Sequence, residues 1–365
     1  MTSFVAAFLC SAILSLGSYF YFAAHIQPYS GSQTRTGGYL ERDFGWNEPY
    51  PIFPRPHFAI AESLDQVPKS PDILVVGDSF SHDLEKSWLN YFNRDDQLTI
   101  TFLHIESVDF RGFLSSNLMT KHPPKILVFQ SMEGSSLVRF TKIGSLLHNH
   151  PALPSNHSGS MPKLAKITSN SLEESKRSMS APFKQQLEIA GNYIGAVSLR
   201  LLGVNLSPTH IMTYQCETCF SHLNQGEVLI NKANLQGKIP LIPTAIVGMN
   251  QLKQKIEANG LTKVWHVIFP NKSSVYAPYI TNQRPITLLD QEAFTADASR
   301  AGHIDLLPPF RREVRQGIRD LYLPNDHHCG PKGYALAAKT IARAIIGGDQ
   351  ELRFGQKPSK DARRE

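Results

Sequence analysis

The chain has 365 residues, 41% hydrophobic and 19% charged, with 37 Lys and Arg against 31 Asp and Glu for a formal net charge of +6. That is an ordinary globular composition, long enough for one large domain or two small ones. The positive excess lies partly in a basic C-terminal tail (348–365) and is otherwise too diffuse to mark a nucleic-acid-binding surface; no internal repeat is visible.

In chain order, Phe4 to Ile26 are almost wholly apolar, and no Lys, Arg, Asp or Glu occurs before Arg35. About 20 such residues span a bilayer, so residues 1–26 read as an uncleaved transmembrane anchor. The small residues of Ser15-Leu16-Gly17 keep a cleaved signal peptide open as the alternative, and a buried apolar helix as a third reading. No Lys or Arg precedes the span, so flanking charge does not set its orientation; its terminal position and the character of the residues after it favour an exported remainder. Residues 27–71, rich in Gly, Pro and aromatics, read as a linker wrapped onto the domain.

Ile73 to Val76 form a short apolar run of the kind a buried parallel strand requires, ended by Gly77. Asp78, Ser79 and Phe80 come next, and Leu84, Trp88 and Phe92 then recur every four residues, predicting a helix that ends near Asn93–Asp96. Further strands are expected at Leu98–Ile105 and Ile126–Phe129. Residues 148–180 read as a polar surface insertion, and an amphipathic helix is expected from Phe183, Leu187, Ala190, Ile194, Val197 and Leu201. In CETCFSH, Cys216 and Cys219 fit a local disulfide, a redox pair, or half a zinc site with His222; an oxidising compartment favours the disulfide. A helix capped by Thr244 and ended by Gly260, then a strand Val264–Phe269 followed by Pro270–Tyr276, complete the alternation. Strands alternating with helices predict an α/β domain with a central parallel sheet over residues 72–347. The polar clusters at Ser79, Gln130–Glu133 and Lys272–Tyr276 all come directly after strands and should therefore converge beyond one end of the sheet.

A serine between a buried strand and a helix is placed as nucleophilic serines are in α/β enzymes, or is simply a helix cap. The closing segment Leu321–Tyr334 tips the balance toward chemistry. Pro331 and Gly333 open a last helix with a Tyr334, Ala338, Ile341 and Ile345 face, leaving Asp326, His327 and His328 on the loop before it. Serine needs a base, histidine is the usual one, and a carboxylate on its other nitrogen fixes the tautomer. Asp326 and His328 can supply both groups.

GDS near the start, PNKSSVY and NDHHCGPKGY together resemble the SGNH hydrolase superfamily, and within it the alginate O-acetyltransferase-like and DHHW-like branch. The resemblance spans roughly residues 72–346. It implies a three-layer α/β/α fold, Ser79 as nucleophile, His328 as base and Asp326 as its orienting acid, with Lys272 and Tyr276 lining the site. Cys329 stands where the branch has Trp, Gly134 follows Glu133 where it has Arg, and the serine here precedes the Asp-His segment. The Asn block that supplies an oxyanion donor in common SGNH esterases is absent. The Ser79 amide, with Gly112 or Tyr276, is the expected replacement, and Asp78 and Glu133 are further candidates near the substrate. The resemblance implies an O-acetyltransferase on a cell-surface or secreted polysaccharide, without cofactor, in the periplasm at the inner membrane. It further implies a membrane-bound O-acyltransferase partner supplying acetyl groups. An acetyl esterase or a non-catalytic polysaccharide-binding subunit are the competing readings.

Overall fold

A computed structural model describes residues 58–82, 87–92, 98–148, 151–154, 209–213, 215–220, 227–231, 236–281, 287–322 and 327–346, together with Val5, Cys10, Ser11, Ile13, Leu14, Ser15 and Gly17. Those few N-terminal residues are helical and exposed. Among the described residues no helix is long and apolar enough to cross a membrane. Most of the expected anchor, the linker up to residue 57, residues 155–180 of the insertion, the 183–201 helix face, His222, Asp326 and the tail lie outside the described residues.

The chain order is β1 (Ala59–Ala61), β2 (Ile73–Gly77), α1 (Ser79–His82), β3 (Ile100–His104), α2 (Phe110–Ser115), α3 (Asn117–Lys121), β4 (Ile126–Met132) and α4 (Glu133–Leu147). Then come β5 (Thr209–Thr213), β6 (Glu227–Asn231), α5 (Ile242–Glu257), β7 (Lys263–Phe269) and α6 (Lys272–Tyr276). The last elements are α7 (Glu292–Ala298), β8 (His303–Asp305), α8 (Leu307–Arg315) and α9 (Pro331–Ile346). Six strands form one sheet in the order β1-β3-β2-β4-β7-β8, and every pairing is parallel. Strands β5 and β6 make a separate antiparallel pair.

Ile73, Leu74, Val75 and Val76 have no accessible surface, as their unbroken apolar pattern requires of a strand covered on both faces. Leaving aside the edge strand β1, the order is the 2-1-3-4-5 of doubly wound sheets, with the reversal between β2 and β4. Right-handed crossovers put the connections on either side of that reversal on opposite faces. Accordingly α4 packs with α2 and α5, and α5 with α7, while α9 packs with α8 and with the 3-10 turn Trp88–Tyr91. The result is three layers, as expected for an α/β chain.

Local boundaries depart from the pattern in two instructive places. The helix expected through Leu84, Trp88 and Phe92 is broken. Ser87 is extended (φ −75°, ψ 149°) and caps the 3-10 turn by accepting from the Leu89 amide, so Trp88 and Phe92 are buried from separate turns. Thr244 lies inside α5 rather than capping it: Pro243 sits in the first turn, where its missing N–H is harmless, and the Thr244 hydroxyl donates to Leu241 O.

Helices α4 and α5 touch backbone to backbone. A Cβ on Gly248 would stand 2.0 Å from Phe140 O, and one on Gly144 would stand 2.7 Å from the Gly248 Cα. Because backbone cannot yield as a side chain can, Gly248→Ala is expected to cost about 3 kcal/mol through forced separation of the helices. Urea denaturation checks this, and an unchanged midpoint would show that the two helices are not in close contact.

Candidate active site

Ser79 begins α1 at the carboxyl end of β2, beside the reversal in strand order, where ligands bind in open α/β sheets. The turn that carries it is fixed from below by Gln130, which points up from β4 and is fully buried. Gln130 Oε1 accepts from the Asp78 amide at 2.9 Å and from Ser81 Oγ at 2.8 Å, and Gln130 Nε2 donates to Asp78 Oδ1 at 2.8 Å. Trp88 Nε1 donates to Ser81 Oγ at 2.8 Å. A Cβ on Gly77 would lie 2.5 Å from Gln130 Oε1, so a larger residue before this turn would have to displace the Gln130 amide.

The Asp78 carboxylate is spent on the same turn. Oδ1 also accepts from the Phe80 amide at 3.2 Å, and Oδ2 accepts from the Met132 amide at 2.8 Å and from Arg139 Nη1 at 2.6 Å. Arg139, one-fifth exposed, continues to Ser131 Oγ at 2.9 Å and to the exposed Glu106 carboxylate at 3.1 Å. A buried carboxylate with one charged and three neutral donors is well compensated. Asp78, expected near the substrate or as an oxyanion donor, therefore has its amide and both oxygens committed to holding the turn.

His328 comes from the far end of the chain, 249 residues from Ser79, and its Nε2 lies 3.1 Å from Ser79 Oγ. The loop bearing it is anchored on both sides. Tyr322 and Cys329 form an antiparallel bridge, the Gly330 amide donates to Leu321 O at 2.9 Å, and α9 starts at once with Tyr334 N bonded to Gly330 O. A Cβ on Gly333 would stand 2.0 Å from Leu321 O, so the tight packing of this loop requires glycine there. The His328 ring lies 4.9 Å from that of Phe80 and 4.0 Å from that of His327, centroid to centroid. Phe80 also contacts Phe269 at the end of β7, 5.0 Å away, so the residue after the serine forms an apolar seat between β7 and the histidine. With Nε2 facing the hydroxyl, the Nδ1–H tautomer is the one able to take the serine proton.

Glu133, at the start of α4, has no accessible surface. Its Oε2 accepts from the Asn271 amide at 2.7 Å and Ser274 Oγ at 2.5 Å, and its Oε1 accepts from the amides of Leu288 at 2.6 Å and Leu289 at 3.3 Å. Burial pushes its carboxyl above the ordinary range, against the pull of these four donors. Glu133 thus ties α6 and the 287–290 segment to α4; its oxygens are occupied by protein rather than open to substrate. Gly112, expected as an oxyanion donor, gives its amide to the Asp109 carboxylate that caps α2.

Lys272 and Tyr276 are buried on α6, and the Lys272 ammonium stands 5.7 Å from the centre of the Phe220 ring, which packs 4.8 Å from that of Tyr276. Phe220 comes directly after the Cys216–Cys219 disulfide. The bond uses both sulfurs and so removes the zinc reading of CETCFSH; among the described residues no group of three or more His, Cys, Asp or Glu is placed to hold a metal. The disulfide loop is pinned at both ends, with Gln215 N donating to Tyr279 O at 2.8 Å and Asp320 N to Cys219 O at 3.0 Å. It therefore connects the α6 segment to the residues that lead into the His328 loop.

The three polar clusters do meet at one end of the sheet, as their positions after the strands require. Arg139 is the residue that sequence reading passed over, and Gln130 enters it only as the start of a polar cluster, with no role of its own. Gln130 had a signal, the first polar side chain at the end of an apolar strand; Arg139 had none, since its carboxylate partners are 61 and 33 residues away.

No curated protein and no solved structure matches the chain. Residues 233–363 match the family described as SGNH hydrolase-like domain, acetyltransferase AlgX. The match takes in Lys272, Tyr276, Asp326 and His328, and Ser79 lies before it. On that match, and on the parallel sheet with its helical layers, the chain carries an SGNH-like α/β domain similar to that of the acetyltransferase AlgX.

Proposed function

We propose that the protein is an O-acetyltransferase acting on a polysaccharide through an acyl-serine at Ser79. The observation that carries this reading is the 3.1 Å approach of His328 Nε2 to Ser79 Oγ at the ligand-binding end of the sheet. His328 takes the Ser79 proton as Oγ attacks the acetyl carbonyl of the donor. The donor's acyl bond breaks, its leaving oxygen takes the proton back from His328, and the acetyl group rests on Ser79. A sugar hydroxyl then gives its proton to His328 and attacks the acyl-serine, restoring Ser79 Oγ–H and releasing the acetylated sugar. Asp326, two residues before His328, is assigned by the resemblance to hold the imidazole tautomer. The Ser79 amide is the donor assigned to the developing oxyanion.

The same reading takes residues 1–26 as a membrane anchor and residues 72–347 as an exported catalytic domain. Coenzyme A is not expected there, so a membrane-bound O-acyltransferase partner is assigned the delivery of acetyl groups.

The test supplies a chromogenic acetate ester and a panel of oligosaccharides and tracks donor loss and acceptor mass together. A gain of one acetyl on sugar, abolished by Ser79→Ala, is the expected result. Ser79-dependent donor loss without acetylated sugar assigns hydrolysis instead, and no Ser79-dependent turnover assigns a binding role.

A further inference from the structure

We propose that Gln130 is the positioning residue of the nucleophile, and that its side-chain amide sets where Ser79 Oγ lies relative to His328 Nε2. This rests on the reading of Ser79 as nucleophile and adds a residue which that reading does not require.

The turn from Asp78 to Ser81 contains the nucleophile, and Gln130 grips it on both sides of Ser79. The residue before is held through its amide N–H and its carboxylate, and the residue two after is held through its hydroxyl. Ser79 itself has no bond to Gln130, so the amide acts through the turn. Every polar atom of the grip has its complement. Two donors meet Oε1, and Nε2 meets an oxygen of Asp78 whose other oxygen is neutralised by Arg139. Exchanging the amide's oxygen and nitrogen would set Nε2 against the Asp78 N–H, so the orientation is fixed by the network. The grip is buried, with Gln130 and Ser81 inaccessible and Asp78 nearly so. Water is not at hand to replace a lost partner, and the turn would shift instead. A displacement of even 1 Å between nucleophile and base costs on the order of 100-fold in rate.

Two variants separate positioning from mere support of the fold. Gln130→Leu removes all three bonds. Gln130→Glu keeps an acceptor for the Asp78 amide and the Ser81 hydroxyl, and while protonated it also donates to Asp78 Oδ1. Once ionised, it sets a second carboxylate against Asp78, and the grip is lost. The full chain is assayed with the chromogenic acetate across pH, alongside Ser79 labelling by a fluorophosphonate and far-UV circular dichroism at each pH. The expected result is a Gln130→Leu protein with kcat lowered about 100-fold at all pH values and KM within about twofold of wild type. Gln130→Glu is expected to come nearest to wild type at the acidic end of the range in which wild type is folded and active, and to lose kcat and labelling rate as pH rises, on a limb that wild type lacks. Folded variants with wild-type kcat, or a Gln130→Glu profile that overlays wild type, overturn the proposal. Should Gln130→Leu fail to fold, the Gln130→Glu profile alone decides. Absence of Ser79-dependent turnover in wild type overturns the underlying reading as well, and is seen before any variant is compared.

Discussion

On the proposed mechanism, His328→Asn is expected to lower the rate of Ser79-dependent acyl transfer about 10³-fold, or about 4 kcal/mol of barrier, the middle of the range for a positioned general base. The loss falls on chemistry because His328 is the side chain facing Ser79 Oγ at hydrogen-bond distance. It spares the fold because the ring is only part-buried and rests against Phe80 and His327 rather than within the core. Fluorophosphonate labelling of Ser79 should fall in parallel, while the thermal midpoint should move little. A loss smaller than about tenfold would mean that another group takes the proton, and His327, its ring 4.0 Å away centroid to centroid, would be the one to replace next.

The second large effect is acid destabilisation centred on His266 and His303, paired across β7 and β8 and remote from the chemistry. His266 Nε2 lies 3.1 Å from Met249 O, so Nε2 carries the proton and donates, and Nδ1 has no partner among the described residues. Its ring stacks on Phe129 and meets Phe140 edge-on. His303 Nε2 is likewise shut from solvent without a partner among those residues, and its ring abuts Phe294. Burial drives His266 down to about 3 and His303 to about 4 from the ordinary 6.5. The nearby charge of Lys253 opposes a proton on His266 further, as does His303.

Both folded values are depressed, so above pH 6.5 each ring is neutral in either state and stability is full. Between pH 6.5 and 4 the unfolded chain takes up protons that the folded chain refuses. Stability then falls by up to about 1.4 kcal/mol per pH unit per ring. Even with a reduced share from the part-exposed His303, several kcal/mol are lost by pH 4, a large part of the stability of an ordinary domain. Glu133 and Asp305, whose carboxyls are raised by burial, act in the opposite sense, because the folded chain holds their protons more tightly. Urea denaturation at pH 7.5 and pH 4.5 of wild type and of a His266→Phe, His303→Leu double variant isolates the histidine part. The variant should lose much less stability than wild type on acidification, and equal losses would defeat the assignment.

The sequence announced the site through side chains that sit beside glycines and strand ends, where local pattern and chemistry coincide. Ile73–Val76 with Gly77, Val264–Phe269 with the polar run after it, and Pro331 opening the last helix each declared an element and the residues at its end. What stayed hidden was the division of labour among the polar residues. Asp78 and Glu133 look like substrate ligands in a string of letters, yet both are consumed by backbone amides and neighbouring side chains, all but one of them 52 to 156 residues away. Gln130 and Arg139 have the converse history, since their importance lies in bonds to the Asp78–Ser81 turn, 49 to 61 residues distant, which local pattern does not reveal. The broken 84–92 helix has a local cause that the fourfold spacing masked, in that Ser87 satisfies the Leu89 amide and starts a new turn.

The 249-residue interval between Ser79 and His328 has a consequence for the life of the chain before it is finished. Synthesis delivers β2 and the serine before β3, β4, β7 and β8, and the histidine loop only after all of them, with α9 behind it. Until then Ser79 is an ordinary alcohol with no base at hand. Long-range parallel sheets also assemble slowly, because their closing contacts must be found across the whole sequence. On the proposed mechanism, reactivity is therefore acquired only after the strands of the sheet, and a fragment ending short of residue 328 would keep those strands while remaining chemically mute.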